Sequence, residues 1–315
     1  MKIVVLDGYT LNPGDLSWDQ FNELGEIKVY DRTAPEDILS RIGDAEIVFT
    51  NKTVITREVI EAKPNIRFIG VLAAGYNVVD VEAARDNGIS VTNTPGYGSK
   101  GVAQMVFAHL LEITNNVALH SNTVKDGKWS DCEDFCYWER PIIDLNNKTM
   151  GIIGYGNIGR EVGAIARAFG MELIIHDKYA EDADAENVEL DVLFKRSDVI
   201  SLHCPLFPET KEIIRKENID KMKDGMILVN TSRGPLVNEK ELVEAVRGGK
   251  IYAAGVDVLE SEPPLKENIL VGGKGVNVTP HIAWASKDSR VNLMNIAFNN
   301  LKAFTRGEHQ NVVNK

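Results

Sequence analysis

The chain is predicted to be an α/β protein built on parallel sheets, and three observations carry that expectation. Short β-rich runs alternate with segments of helical spacing along nearly the whole sequence, the pattern of strands joined by helical crossovers. A glycine-rich turn, Gly154-x-Gly156-x-x-Gly159, lies between one apolar run and one amphipathic segment. At 315 residues the chain exceeds what one ordinary core needs, so two domains are expected.

Taken in order, strands are expected near 3–6, 27–30, 46–49, 66–72 and 89–92, with helices near 16–24, 35–42, 57–62 and 81–87. Asp80 ahead of Val81 is a typical helix start signal. After Pro95 the turn Gly96-Tyr97-Gly98-Ser99 opens one long helix through about residue 124, whose Val102, Met105, Val106, Leu110, Leu111 and Ile113 predict a deeply buried face. The irregular segment 127–141 carries Trp129, Phe135, Tyr137 and Trp138, and aromatic residues gathered in a loop are expected to cover another domain or subunit. A strand from 149, a helix through 169 and a strand at 172–175 follow, then strands near 198–202, 226–229, 253–256 and 275–278. Helices are expected at 190–194, 211–222, 239–247 and 287–304. The last has no strand after it, so it is expected to return to the first sheet, making the first domain discontinuous and placing a cleft between two lobes.

The glycine-rich turn has the context that gives such a motif weight: strand before, helix after, second strand, and an acid at its end, Asp177. Gly154 suits the tight turn, Gly156 a close approach of backbone to pyrophosphate, and Gly159 helix–strand packing. The helix start at Asn157 and Ile158 offers free N–H groups and partial positive charge to phosphate. Asp177 falls where a carboxylate accepts hydrogen bonds from adenosine ribose hydroxyls. The cofactor expected is NAD, with NADH favoured over NADPH because Asp177 would repel a 2′-phosphate; Lys178 beside it weakens that repulsion only slightly.

The net charge of −11 argues against nucleic acid as a partner. Cys132, Cys136 and Cys204 show neither zinc spacing nor an even disulfide framework, which suits a reducing, cytoplasmic setting. The apolar run at 3–6 is too short for a signal peptide and Asp7 ends it, and no stretch approaches the ~20 apolar residues of a membrane span. No metal-spaced histidine pair, nucleophile elbow or Walker loop competes with the dinucleotide reading.

Three segments after late strands offer chemistry, where ligands of open α/β sheets bind. In Asn230-Thr231-Ser232-Arg233-Gly234 the guanidinium can clamp a carboxylate or polarise a keto oxygen, or be a surface arginine in a turn. In Asp257-Val258-Leu259-Glu260-Ser261-Glu262-Pro263-Pro264 either Glu260 or Glu262 can serve as an acid beside a base. In Thr279-Pro280-His281 the imidazole is the group poised to exchange a proton near neutrality, or else a satisfied core histidine. A carboxylate bonded to an imidazole favours its protonated form and fixes the ring.

With these residues assembled, the whole chain resembles the D-isomer-specific 2-hydroxyacid dehydrogenase family, through the Gly154–Gly156–Gly159 fingerprint with Asp177, Thr231-Ser232-Arg233-Gly234, Asp257 to Pro263, and Pro280-His281. The resemblance implies a Rossmann-type NAD domain, 98–285, inserted in a flavodoxin-like substrate domain, 1–97 plus 286–315. It implies that Arg233 binds the substrate carboxylate and carbonyl, that His281 is the acid/base and that Glu262 is its partner. It further implies that Asp257 contacts the nicotinamide carboxamide, and that Thr231, Ser232 and the Cys204-Pro205 turn line the cofactor.

In the first domain, Ala74, Gly75 and Tyr76 resemble the family's substrate loop, whose N–H groups hold the carboxylate; glycine after a strand suits such an anion nest. Residues 93–97 with Val102-Ala103-Gln104 resemble the interdomain hinge, Gln104 replacing the glutamate of many relatives, and 127–141 the dimerisation arm, so a homodimer is implied. Within the family the nearest likeness is to the glycerate dehydrogenase (hydroxypyruvate reductase) group, through 4–8, 50–53, 75–80 and 134–138. Lys52 is either a contact to a polar substrate or a solvated loop lysine. The activity implied is NADH-dependent reduction of a 2-oxo acid such as hydroxypyruvate or glyoxylate. Alternatives of the D-lactate, phosphoglycerate or phosphite type, or an NAD-sensing corepressor, share these motifs.

Overall fold

The computed structural model describes residues 1–180 and 184–315, and these divide into two compact units, Met1–Gly98 with Ala285–Lys315, and Ser99–Trp284. Strands are labelled in chain order. The first unit holds β1 (Lys2–Val5), β2 (Glu26–Val29), β3 (Ile47–Thr50), β4 (Phe68–Val71) and β5 (Ser90–Thr92) in the order β2-β1-β3-β4-β5. All neighbours pair in parallel, and this is the flavodoxin-like order. β1, β3 and β4 are almost wholly buried because helices or loops cover both faces, which explains their unbroken apolar runs.

One face of this sheet is packed by Ile38, Ile42, Ile60, Ala83 and Ala84. The other carries an aromatic stack: Phe21 meets Phe49 and Phe298, Phe49 meets Phe68, and Phe68 meets Phe304, with centroids 5.1–5.9 Å apart. Phe298 and Phe304 come from the closing helix Lys287–Thr305, so the C-terminal segment supplies part of the core of a sheet made from the first 98 residues. Gly70 makes room for that stack, since a Cβ there would lie 2.2 Å from the Phe49 ring.

The second unit is a seven-stranded parallel sheet of β6 (Thr149–Ile153), β7 (Glu172–His176), β8 (Glu186–Asn187), β9 (Val199–Leu202), β10 (Met226–Asn230), β11 (Ile251–Val256) and β12 (Val276–Val278). Its order is β12-β11-β10-β9-β6-β7-β8. The order reverses between β6 and β9, which is the Rossmann topology with its ligand crevice at the switch point. The helices Ser99–Asn115 and Asn157–Ala168 cover one face through Val106, Leu110, Val162 and Ala166, and Leu193, Phe194, Leu236 and Leu242 cover the other.

Three expectations about helices are corrected. The single helix through residue 124 is two, Ser99–Asn115 and Val117–Lys125, because Asn116 adopts a left-handed φ of 51° and its amide donates back to the Ile113 carbonyl. The helix at 16–24 is only a 3₁₀ turn, Asp19–Glu23, because the Asn12 side chain takes the N–H groups of Gly14 and Leu16 into a local turn. The helix at 211–222 shrinks to Lys216–Ile219, because Glu212 and Ile214 give their N–H groups to Pro235 and Leu236. Apolar spacing at 211–215 therefore reflects a strand-like bridge and not a helix face.

Candidate active site

The fingerprint turn leaves β6 at Gly154, whose φ of +92° and nearness to the Cys204 backbone both require glycine: a Cβ would sit 2.4 Å from Cys204 N. At Gly159 a Cβ would lie 2.3 Å from the Gly154 carbonyl, so helix and turn touch through backbone. Gly156 differs, being exposed with no atom within 4 Å of a built Cβ. The N-terminus of Asn157–Ala168, with Gly156 and Asn157 exposed and Ile158 half-buried, is thus open to an anion.

Asp177 holds this turn from the end of β7. One oxygen accepts the Tyr155 N–H at 2.6 Å and the other the Tyr179 N–H at 2.8 Å, leaving lone pairs for hydroxyl donors. Across the crevice, Ser232 donates its hydroxyl to the Cys204 carbonyl at 2.8 Å. The Thr231 hydroxyl is buried without a partner among the described residues, as befits a group that meets a bound polar ligand. An open helix N-terminus, a half-used carboxylate and an orphaned hydroxyl along one sheet edge fit a dinucleotide. Burial pushes the Cys204 thiol up to about 11 and holds His203 down to about 3, so neither ionises at neutral pH.

Arg233 follows β10. Asn230, almost fully buried, braces the loop from within: its amide donates to the Arg233 carbonyl at 2.9 Å and accepts from Ser232 N–H at 3.0 Å. The guanidinium is exposed and gives one Nη1 bond, 2.7 Å, to the Ser232 carbonyl, so most of its donors stay available. Gly234 seats this loop on the acidic one, since a Cβ there would lie 2.0 Å from the Leu259 carbonyl.

Glu262, not Glu260, reaches the histidine. Its Oε1 accepts the Leu259 N–H at 2.9 Å, while Oε2 meets His281 Nδ1 at 2.6 Å. The Glu260 carboxylate makes no bond, although its N–H donates to Glu239. With Nδ1 committed to Glu262, Nε2 is the nitrogen left to exchange a proton. Both side chains are about one-third exposed, 34% for His281 and 36% for Glu262, which leaves the pair reachable by a small ligand.

Asp257 has a different position from the one expected of a cofactor contact. It is 1% exposed, and its carboxylate accepts from the Thr279 hydroxyl and from the N–H groups of Ile282 (2.9 Å) and Ala283 (2.8 Å). Its carbonyl takes the His281 N–H at 2.8 Å. Those bonds hold His281 at a left-handed φ of 54°, a conformation that a residue with a side chain adopts only when its surroundings impose it. Behind them His109, buried on the helix Ser99–Asn115, approaches Thr279 Oγ1 with Nε2 at 3.0 Å. Because that hydroxyl donates to Asp257, His109 carries its proton on Nε2. Burial lowers the His109 pKa, with the Asp257 charge opposing it, which keeps the ring neutral. Helix spacing places His109 on a buried face but gives no hint of this role.

The loops of the first unit are described by themselves. The Asp7 carboxylate, after β1, gathers the N–H groups of Asn51 (2.7 Å), Lys52 (2.5 Å) and Thr53 (2.7 Å), after β3, and leaves the Lys52 side chain exposed. Asn51 donates to the Leu72 carbonyl and Asn93 to that of Ala74, both at 2.7 Å. Ala74, Gly75 and Tyr76 give no N–H to a protein acceptor among the described residues, as an anion nest requires.

The description "D-isomer specific 2-hydroxyacid dehydrogenase, NAD binding domain" fits residues 107–283. The chain is 55% identical to hydroxypyruvate reductase of Blautia hydrogenotrophica, with all of both chains covered. It is 39% identical to glycerate dehydrogenase of Methylorubrum extorquens over 99% of this chain and 98% of that one. The chain belongs to the D-isomer-specific 2-hydroxyacid dehydrogenases. As such a dehydrogenase it is an NAD-dependent oxidoreductase, and its Rossmann sheet is the family's NAD-binding domain. Among solved dehydrogenase-like folds, TT0316 of Thermus thermophilus superposes with a TM-score of 0.87 at 32% identity, covering 99% of this chain and 100% of that one.

Proposed function

We propose that the protein reduces a small 2-oxo acid, hydroxypyruvate or glyoxylate, to the D-2-hydroxy acid, D-glycerate or glycolate, with NADH. The observation that carries this reading is the 2.6 Å pair of His281 Nδ1 and Glu262 Oε2 beside an exposed Arg233. Relatives named for hydroxypyruvate and glycerate support the choice of acid.

Gly156, Asn157 and Ile158 would receive the cofactor's pyrophosphate, Asp177 its ribose hydroxyls, and Cys204, Pro205, Thr231 and Ser232 its nicotinamide half. When bound, the dihydronicotinamide supplies the hydride taken by the keto carbon. Arg233 pairs with the substrate carboxylate and polarises the carbonyl, and its planar fork fixes the acid's orientation. The free N–H groups of Ala74, Gly75 and Tyr76 are proposed as further carboxylate donors, and Lys52 as a contact to the polar end of the substrate. His281 gives its Nε2 proton to the forming alkoxide, and Glu262 balances the imidazolium beforehand. A proton donor of this kind contributes ~10²–10⁴-fold to the rate.

NADH is preferred over NADPH in this reading because Asp177 presents negative charge where a 2′-phosphate would lie. The arm at 127–141 supports a homodimer: Phe135 is 88% and Trp138 67% exposed, and a pair of copies would cover them. Free cysteines suit a cytoplasmic enzyme, and among the described residues no helix is long and apolar enough to cross a membrane.

The test is a panel of 2-oxo acids offered with NADH and with NADPH, followed at the cofactor's absorbance. Hydroxypyruvate or glyoxylate should lead the panel with NADH, and His281→Ala should lose nearly all turnover while NADH affinity stays within a few-fold. No turnover of any acid, or an unimpaired His281→Ala, overturns the reading.

A further inference from the structure

A cavity of about 600 Å³ opens in the second unit at the starting ends of β11 and β12, where Tyr252 and Val276 line it. The active-site loops leave the finishing ends of the same strands. From Tyr252 to Asp257 is five residues, or about 16 Å along a strand at ~3.3 Å per residue, so the cavity is separate from the catalytic groups.

Its charge is unusual for this chain. Arg140, Arg247 and Lys274 all line it, and none makes an ion pair or a side-chain hydrogen bond among the described residues. Elsewhere in the unit basic side chains are matched: Arg167 with Asp184, Arg196 with Glu186, Lys221 with Asp191 and Lys250 with Asp224. The single lining carboxylate, Glu112, already accepts the Ala118 N–H at 3.2 Å. Three unmatched cations in a protein of net charge −11 concentrate positive potential where the rest of the surface is acidic. The Tyr252 hydroxyl and the Asn277 amide add neutral hydrogen-bonding groups without partners of their own.

We propose that this cavity is a second anion site, taking a small metabolite with two or more negative charges, a polycarboxylate or a phosphate compound. Arg247 and Lys274 supply charge from opposite sides of the β11 edge, one ending the helix Glu239–Arg247 and the other in the turn before β12. Arg140 closes the third side from the segment after the aromatic arm. A monoanionic 2-oxo acid would engage only part of this set, so the ligand is distinct from the substrate. The site is independent of which acid the enzyme reduces.

Calorimetric titration of the full chain, saturated with NADH, tests it with two probes: citrate for carboxylate chemistry and inorganic pyrophosphate for phosphate chemistry. One site per chain is expected for at least one probe, with affinity falling as salt is raised. The double variant Arg247→Ser/Lys274→Ser should weaken it at least tenfold with kcat/KM for the 2-oxo acid within twofold of the parent. Arg233→Ala should leave it intact. No heat with either probe, equal affinity in the double variant, or loss of binding in Arg233→Ala overturns the proposal. So does a change in assembly mass in the double variant, which would mean that a second copy fills the cavity.

Discussion

Replacing Asp257 by Asn separates two roles for this carboxylate, a contact to the cofactor and a brace for the catalytic histidine. The change keeps size but turns one acceptor oxygen into an NH₂ donor, set against the Thr279 hydroxyl or the N–H groups of Ile282 and Ala283. About two charge-assisted bonds weaken or vanish, at ~1.5–3 kcal/mol each. A left-handed residue with a side chain costs ~1–2 kcal/mol, so the loss is large enough to release His281 from its φ of 54°. A net shift of ~3 kcal/mol corresponds to a fall of about 100-fold in the population holding the productive turn. Stopped-flow and steady-state kinetics should therefore show kcat down about 100-fold, while NADH Kd, read by its fluorescence, changes less than threefold. Were Asp257 mainly a nicotinamide contact, Kd would rise tenfold or more with kcat little altered, and that result would refute the bracing argument.

Other outcomes follow from the same geometry. Gly154→Ala must place a Cβ 2.4 Å from the Cys204 backbone at φ +92°, so NADH binding measured by fluorescence should be lost or the protein recovered insoluble. His203 is held at about 3 in the folded state against 6.5 when free. The unfolded chain therefore binds a proton that the folded one lacks between those values, and stability falls as pH drops through that window, by up to ~1.4 kcal/mol per pH unit. Buried His109 is lowered too and acts in the same direction. His203→Gln should flatten the pH dependence of urea unfolding by close to one proton; an unchanged slope would show that this histidine is not the titrating group. With its thiol raised to about 11, Cys204 should resist iodoacetamide at pH 8 while exposed Cys136 is labelled within the same interval, as peptide mass mapping would record.

The sequence made the sheet order and the cofactor turn legible for a physical reason: parallel strands buried on both faces write continuous apolar runs, and the turn between β6 and its helix tolerates only glycine at two points. Local signals failed where long-range bonds override them. Residues 211–215 have helical spacing, but their N–H groups are taken by a segment more than 20 residues away. Asn116 carries no breaker signature, yet one left-handed residue splits a helix. At the site, Arg233 and His281 stand out by residue type and place after a strand. Spacing did not decide between Glu260 and Glu262, because two residues separate them and only the folded loop reveals which one meets Nδ1. The His109–Thr279–Asp257 chain spans 170 positions between its first two members and leaves no local trace.

The aromatic stack of the first unit sets an order of events during synthesis. Phe21, Phe49 and Phe68 are made early, but two of their ring partners, Phe298 and Phe304, lie in the last helix. At ~5–20 residues per second, the ~190 residues between the two halves of this unit take about 10–40 s to emerge. Throughout that interval the face awaiting Phe298 and Phe304 stays bare, while Ser99–Trp284 is continuous and has all of its strands to hand. The NAD-binding unit is thus able to fold first on the ribosome, and the exposed half-core beside it is the part of the nascent chain most in need of a chaperone.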